Sequence, residues 1–242
     1  TTTVVVSAQS VSRQFLQAWR DSCSENLLTL VRRGTSLGSI DMNAAKELGI
    51  NVVNTPGVNS PHVAKFVIET IGLCEPMANP SAAKAVVIGS GSVGQFVIQS
   101  MESIGIKPTI VNRSPEAPSL ETALLGATHV VVCAATTSEP IITTPHIKAL
   151  VAGEKRTIQI CSVSRPEAFS LEAVMLIAQQ DLVTLRFDYG DSILAPMRDR
   201  VNQFGVKENV TWSSVAMASE DCKQDMDNAV LRILAEQSAA AG

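Results

Sequence analysis

The segment Ala85–Val97, AVVIGSGSVGQFV, restricts the fold more than any other part of the chain. Ala85–Ile88 is a short apolar run of strand character. Gly89-Ser90-Gly91-Ser92-Val93-Gly94 follows at once, and a helical pattern begins inside it. This is G-x-G-x-x-G between a strand and a helix, the context in which the motif has a mechanical meaning. Gly89 permits a tight turn, Gly91 lets backbone approach a pyrophosphate, and Gly94 lets the helix pack closely on the strand. The exposed amides of Ser92 and Val93, at the positive end of the helix dipole, favour phosphate oxygens. The segment therefore predicts a strand–turn–helix unit carrying a dinucleotide. A glycine turn needed only for packing is the competing reading.

A parallel strand of this kind belongs to a larger sheet. β-rich runs recur at Thr3–Ala8, Leu27–Val31, Asn51–Asn54, Ala83–Ile88, Pro108–Asn112, His129–Ala134, Thr157–Cys161, Val183–Asp188 and Asn209–Ser213. Helical patterns fall between them at Ser12–Asp21, Met42–Leu48, Val93–Ile104, Ser119–Leu125, Thr144–Val151 and Leu171–Gln179. Longer apolar helices are read at Ser60–Cys74 and Glu220–Ala235. The alternation predicts an α/β fold, a doubly wound parallel sheet (Rossmann) with a second, smaller α/β domain. Composition agrees: hydrophobic residues are 45% of the 242 and aromatics only 4%, so Val, Ile, Leu and Ala build the core, as parallel strands covered by helices require. The breaker EPMANPS at Glu75–Ser81 places a domain boundary there. Residues 79–214 form the dinucleotide-binding domain, and 1–78 with 215–242 the smaller one.

The formal net charge is −4, with no basic run, so neither a nucleic-acid nor a membrane surface is expected. No apolar run reaches ~18 residues, and TTTVVVSAQ lacks the basic start and apolar core of a signal peptide. The five cysteines form no C-x-x-C pair and no metal-ligand spacing. Free thiols in a reducing cytoplasm are expected, and no metal. The strand after the glycine unit ends in Asn112-Arg113-Ser114. An Asp or Glu there would accept from the ribose hydroxyls of NAD; Arg113 instead pairs with a 2′-phosphate, and Asn112 and Ser114 donate to it. NADP is therefore favoured over NAD, against the alternative that Arg113 is a solvated loop residue.

Several further segments carry a family resemblance. RGTSLGSID at Arg33–Asp41, AAKELGINVVNTPG at Ala44–Gly57, NSPHVAKFVI at Asn59–Ile68, ATTSEPII at Ala135–Ile142, SVSRP at Ser162–Pro166 and Phe187-Asp188-Tyr189 together resemble the D-isomer-specific 2-hydroxyacid dehydrogenases over nearly the whole chain. The resemblance implies a two-domain oxidoreductase with its active site in an interdomain cleft. It implies that Arg165 holds the substrate's carboxylate and carbonyl in fork geometry. Asp188 would accept from the nicotinamide carboxamide, and Ala135, Thr136, Ser162 and Val163 would line the coenzyme. Backbone amides around Arg33, Gly34 and Thr35 would bind the carboxylate. Without a ligand, Arg165 reads as a salt-bridging arginine at a strand end and Asp188 as a turn aspartate.

The departures from the family matter as much. Its catalytic histidine aligns with Val215, in NVTWSSVAMAS, and its partner glutamate has no counterpart in Tyr189–Pro196, where Asp191 is the only further acid. Thr144-Pro145-His146 opens a helix elsewhere and is read as a decoy, and His129 as a packed strand residue. His62, at the start of the hinge helix, is the candidate substitute acid, with Ser213 or Ser214 as weak donors beside the substrate. The smaller domain keeps only about three strands and is expected to need a homodimer. The expected function is an NAD(P)-binding oxidoreductase with altered proton chemistry, reducing a carboxylated carbonyl or imine. The alternatives are an inactive NADP-binding homologue acting as sensor or scaffold, and a non-redox enzyme using the same cleft.

Overall fold

The computed structural model describes residues 2–7, 9–24, 27–74, 82–205 and 208–240. The expected breaker Glu75–Ser81, and the domain boundary placed within it, lie outside the described residues. The chain forms two compact units, residues 1–59 with 219–242, and residues 60–218.

The first unit has three parallel strands in the order β1 (Thr2–Val6), β2 (Leu28–Arg32), β3 (Ile50–Asn54). Leu30 sits between Val4 and Val52 in register. α1 (Arg13–Ser22) starts where Ser12 accepts from the Phe15 amide, and α2 (Met42–Glu47) where Asp41 accepts from the Ala44 amide, the side-chain capping that orphan first-turn amides require. Leu16 and Trp19 of α1 and Ala44 and Ala45 of α2 pack on Leu28, Leu30 and Ile50. The C-terminal helix α9 (Glu220–Ala240) returns to this unit: Thr3 Oγ1 donates to Gln237 Oε1, and Arg33 Nε pairs with Asp227 at 2.5 Å.

The second unit begins with α3 (Ser60–Thr70). Its sheet is wholly parallel and contains β4 (Ala85–Ile88), β5 (Thr109–Val111), β6 (His129–Val132), β7 (Ile158–Ser162), β8 (Val183–Asp188) and β9 (Val210–Ser213). The spatial order is β5-β4-β6-β7-β8-β9. Chain direction across the sheet reverses between β4 and β6, which makes their carboxyl ends the topological switch point of a doubly wound fold. One face is covered by α5 (Leu120–Leu124), α6 (Thr144–Val151), α7 (Leu171–Ala178) and α8 (Asp191–Asn202), with Phe169 and Phe187 at its centre. On the other face, α4 (Ser92–Ser103) lays Val97 and Met101 against Val87, Val131 and Cys161.

The divisions differ from the expected ones in two respects. α3 buries Ala64, Val67 and Ile68 in the same cluster as α4, so this helix is part of the larger unit and not of the smaller. α8 is not among the expected helices; Pro196 lies inside it, and the buried Leu194 and Val201 hold it on the sheet. Packing offsets the hydrogen bond that an interior proline forfeits.

Two glycines make the switch point possible. Gly89 has φ 102°, and a Cβ on it would lie 2.6 Å from the Ala134 amide nitrogen. A Cβ on Gly94 would lie 2.1 Å from the Gly89 carbonyl oxygen. Gly91 has an ordinary φ of −72°, and a Cβ there would meet nothing within 4 Å. Gly94→Ala should therefore destabilise the protein by about 3 kcal/mol, read as a Tm fall of roughly 6–12 °C, while Gly91→Ala should leave Tm nearly unchanged.

Candidate active site

The turn after β4 is built to leave donors open. Gly91 is the N-cap of α4 and has no side chain to close the first-turn amides; Gln95 N already donates to Gly91 O. Gly91 and Ser92 are exposed and Val93 is half-buried. The loop after β5 is fastened to this turn: Asn112 Nδ2 donates to Ser90 Oγ at 3.1 Å, and Asn112 Oδ1 accepts from the Ser114 amide at 2.8 Å. Arg113 is exposed, with no ion pair among the described residues. Glu116, which the sequence reading passed over, accepts a short hydrogen bond from Ser114 Oγ. That bond holds the Glu116 carboxyl below the usual carboxylate range. Beneath the turn, Cys133 Sγ lies 3.2 Å from Gly89 O, and burial pushes its thiol to about 12. It is a packing group, not a nucleophile.

The end of β7 joins the same edge. Ser164 Oγ donates to Ala134 O at 2.7 Å, and Val163 N to Val132 O at 2.9 Å. Ala135 is exposed and Thr136 half-buried, whereas Ser162 is fully buried, so its side chain is closed to any ligand. Arg165 is 44% exposed, and its Nε and Nη2 donate to the two carboxylate oxygens of Glu167 at 3.3 and 3.2 Å. The salt-bridged geometry is thus realised, through a partner two residues on across Pro166. The pair is solvent-exposed and weakly held, so another carboxylate can displace Glu167. The chain of contacts Gly94–Gly89–Ala134–Ser164 brings the glycine turn and the Arg165 loop to one edge of the sheet.

Asp188 has a different setting from the expected one. It is 5% exposed and ends β8. Its Oδ2 accepts from Ser213 Oγ at 2.7 Å and from the Val215 amide at 2.8 Å, and its Oδ1 from the Ala216 amide at 3.1 Å. Three of about four acceptor positions are filled from within the chain. The carboxylate therefore fixes the turn that carries position 215. The strand ends beside it are locked by stacking, Phe187 on Trp212 at 4.7 Å and Phe169 edge-on at 5.1 Å. Val215 is 52% exposed, and Ser214 beside it is also exposed. Asp191 pairs with Arg198 at 2.6 Å. His62 is half-buried in the first turn of α3. His146 closes the capping box of α6, its Nδ1 accepting from the Thr143 amide, so its role is structural.

In the first unit, the loop expected to bind a carboxylate has spent most of its donors. The Arg33 amide donates to Val6 O at 2.8 Å and the Gly34 amide to Thr55 Oγ1 at 2.8 Å. Asn54 Nδ2 donates to Thr35 O, and Thr35 Oγ1 accepts from the Gly57 amide. The Arg33 guanidinium is occupied by Asp227 and by Lys223 O. Among the described residues no cluster of His, Cys, Asp and Glu could hold a metal, and no helix is long and apolar enough to cross a membrane.

A wound parallel sheet with a glycine turn at its switch point defines a Rossmann-type unit, and the chain carries a second, smaller α/β unit. The family model for the D-isomer specific 2-hydroxyacid dehydrogenase catalytic domain matches residues 2–237, and the chain belongs to this family. A hydroxypyruvate reductase of Thermotoga maritima is 30% identical over 138 residues, which is 49% of this chain and 43% of that protein. The match thus spans less than half the length of that curated relative. Among solved structures, the NAD+-bound 3-phosphoglycerate dehydrogenase of Entamoeba histolytica superposes with a TM-score of 0.68 at 20% identity, over 95% of this chain and 77% of that one. An acyclic imino acid reductase in complex with NADPH and D-Arg gives 0.69 at 17% identity, over 99% and 83%. At these identities the structural likeness concerns the fold.

Asp188→Ala strands one hydroxyl and two amide donors. It should cost about 3 kcal/mol, seen as a lower urea midpoint by Trp fluorescence; a carboxylate that served only a bound coenzyme would leave that midpoint unchanged.

Proposed function

We propose that this chain binds NADP on the turn after β4 and directs hydride transfer to the carbon of a carboxylated carbonyl or imine. The observation that carries this reading is the N-terminus of α4, uncapped by any side chain and opening onto free space at Gly91. That arrangement suits a pyrophosphate, and it lies at the switch point where such folds bind ligands. Ser92 and Val93 present the donors, and Ala135 and Thr136 flank them from the end of β6. The family's use of nicotinamide coenzymes supports the same reading.

The choice between coenzymes turns on Arg113 against Glu116. Arg113 has no ion pair among the described residues and meets a 2′-phosphate as a charge-assisted donor. Glu116 is negative and bound to Ser114, and it opposes that phosphate. We favour NADP because the free group is the cation. Glu116→Gln should then tighten NADPH relative to NADH, and Arg113→Asp should reverse the preference by at least about tenfold, both measured by nicotinamide fluorescence titration. Equal affinities in all three proteins would refute the assignment.

Bound reduced nicotinamide supplies the hydride; the protein's part is to hold and polarise the acceptor. Arg165 does this, exchanging the Glu167 carboxylate for that of the substrate and leaving an N–H for the carbonyl oxygen. Val215 cannot donate a proton, and a ketone acceptor without an acid loses about two to four powers of ten in rate. A protonated imine already carries the charge on nitrogen and needs none. An amino-acid-related imine is therefore the substrate this site favours; the NADPH-bound imino acid reductase of like fold is consistent with that. His62 and Ser214 are weaker candidate donors. The free thiols among the described residues support a cytoplasmic setting, and the small core of the first unit supports a homodimer.

A second reading, a coenzyme-binding protein without turnover, is favoured by the exposed Val215 and by the filled acceptor positions of Asp188. NADPH oxidation in the presence of 2-oxo acids with ammonia separates the two. Under the first, Arg165→Ala should lower kcat/KM by about a hundredfold or more and leave NADPH affinity within about twofold. Binding of NADPH with no oxidation by any such mixture would favour the second.

A further inference from the structure

The proposed reaction makes a demand that Arg165 cannot meet alone. A guanidinium offers donors only, and so does the nitrogen of a protonated imine. The two cations repel where a substrate carboxylate brings them together. Recognition of such an imine therefore calls for an acceptor beside Arg165.

The turn after β7 supplies one. Glu167 accepts from Arg165 Nε at 3.3 Å through Oε2 and from Nη2 at 3.2 Å through Oε1. Among the described residues this is the one ion pair of either group. Both side chains are exposed, but the backbone between them is fixed. Pro166 and Ala168 of the single 3-10 turn are buried, and the Ala168 amide donates to Arg165 O at 3.0 Å. Ala168 O accepts from the amides of Ile141 and Ile142, both at 2.8 Å, and the next residue, Phe169, is buried. A Glu167 carboxylate displaced from Arg165 thus stays within a side chain's reach of whatever displaces it. Three other acids on the carboxyl-edge loops are committed: Asp188 to the 213–216 turn, Asp191 to Arg198 and Glu116 to Ser114. Glu139 is exposed on the loop before Ile141 and has no contact with Arg165 among the described residues.

We propose that Glu167 is the counter-ion of the substrate nitrogen and selects a zwitterionic imine over a neutral-carbonyl 2-oxo acid. The Arg165–Glu167 pair is a fixed dipole. A ligand with a carboxylate and a nitrogen cation on neighbouring carbons replaces its one ion pair by two, each with charge-assisted hydrogen bonds. A ketone oxygen in the place of the nitrogen sets lone pairs against the carboxylate. The amino acid produced carries an ammonium there and meets the same dipole. The inference rests on the proposed reaction for the class of acceptor, and it adds the group that tells imine from ketone.

The probes are alanine and lactate, both enantiomers of each, which share a carbon skeleton and differ in an α-ammonium or an α-hydroxyl. They are titrated calorimetrically into the full chain with NADP+. The unsubstituted protein should bind one enantiomer of alanine more tightly than either lactate. Glu167→Gln should weaken that alanine about 10- to 100-fold, the worth of one charge-assisted hydrogen bond. Lactate affinity should hold or rise, because Arg165 loses its competitor. Tm without a probe should change little, since an exposed pair contributes little. Glu139→Gln should bind both probes as the unsubstituted protein does. An alanine preference that survives in Glu167→Gln overturns the proposal. So does a parallel loss of alanine and lactate affinity, as when Glu167 only positions Arg165, or an equal loss in Glu139→Gln. An unsubstituted protein that binds neither probe, or lactate as tightly as alanine, overturns it too. NADPH oxidation with pyruvate and ammonia separates this inference from the reaction beneath it. Turnover undiminished by Glu167→Gln would keep the reaction and sink the inference. No turnover, with the Glu167-dependent alanine preference intact, would sink the reaction and leave the charge recognition standing.

Discussion

The second unit depends on backbone meeting backbone at the ends of β4 and β6. With a side chain at Gly94, the first turn of α4 could not approach the Gly89 carbonyl; with one at Gly89, the turn could not pass the Ala134 amide. These approaches set how closely α4 lies on the sheet, and so which way its open amides point. Cys133 fills the remaining space under the turn, 3.1 Å from where a Gly94 Cβ would stand. The same packing that determines the fold therefore creates the donor-rich surface. Gly91 differs from its neighbours because nothing in the protein requires it: its lack of a side chain matters only to something that approaches from outside.

Polar satisfaction sorts the remaining charged groups by role. Asp188 is buried and accepts three hydrogen bonds from the 213–216 turn, which it fastens. Arg33 is likewise engaged and ties β2 to α9. Among the described residues no carboxylate pairs with Arg32 or Arg113, and Arg165 has one that is exposed and exchangeable. Groups of the first kind hold the structure together. Groups of the second kind lower stability or contribute little to it, and they stand where an anionic ligand would repay them.

Most of the fold was legible in the sequence because period and punctuation agree there. All nine expected strands form, and the order of helices follows the apolar patterns, since each parallel strand of three to six residues needs a covering helix. Where local signal and tertiary packing conflict, the reading failed. α8 holds a proline that packing tolerates. α3 packs its apolar face in the core beside α4. The site was legible only in part. Gly89, Gly91 and Gly94 declare themselves through spacing. Glu116 and Glu167 do not, because a carboxylate five residues past the end of β5, or two past an arginine, becomes a partner only through loop geometry. The spent amides of Arg33 and Gly34 are invisible for the same reason: only the fold brings Thr55 and Val6 to them.

The absent histidine is best understood from the turn that should carry it. A catalytic imidazole at position 215 would need a fixed backbone and a carboxylate to hold the ring. The fixed backbone is present, since Asp188 accepts from the amides of 215 and 216. The ring partner is absent, because Asp191 pairs with Arg198. On the proposed reading, the turn keeps its fixed backbone while position 215 carries a side chain that cannot transfer a proton. A chain selected to reduce ketones would lose several powers of ten by that exchange. One acting on a substrate whose electrophile is already cationic would lose little, and would gain from an exposed apolar residue in place of a competing base. On the proposed reading, an exchangeable arginine at position 165 and an open glycine turn, with no acid at position 215, are what that second chemistry requires.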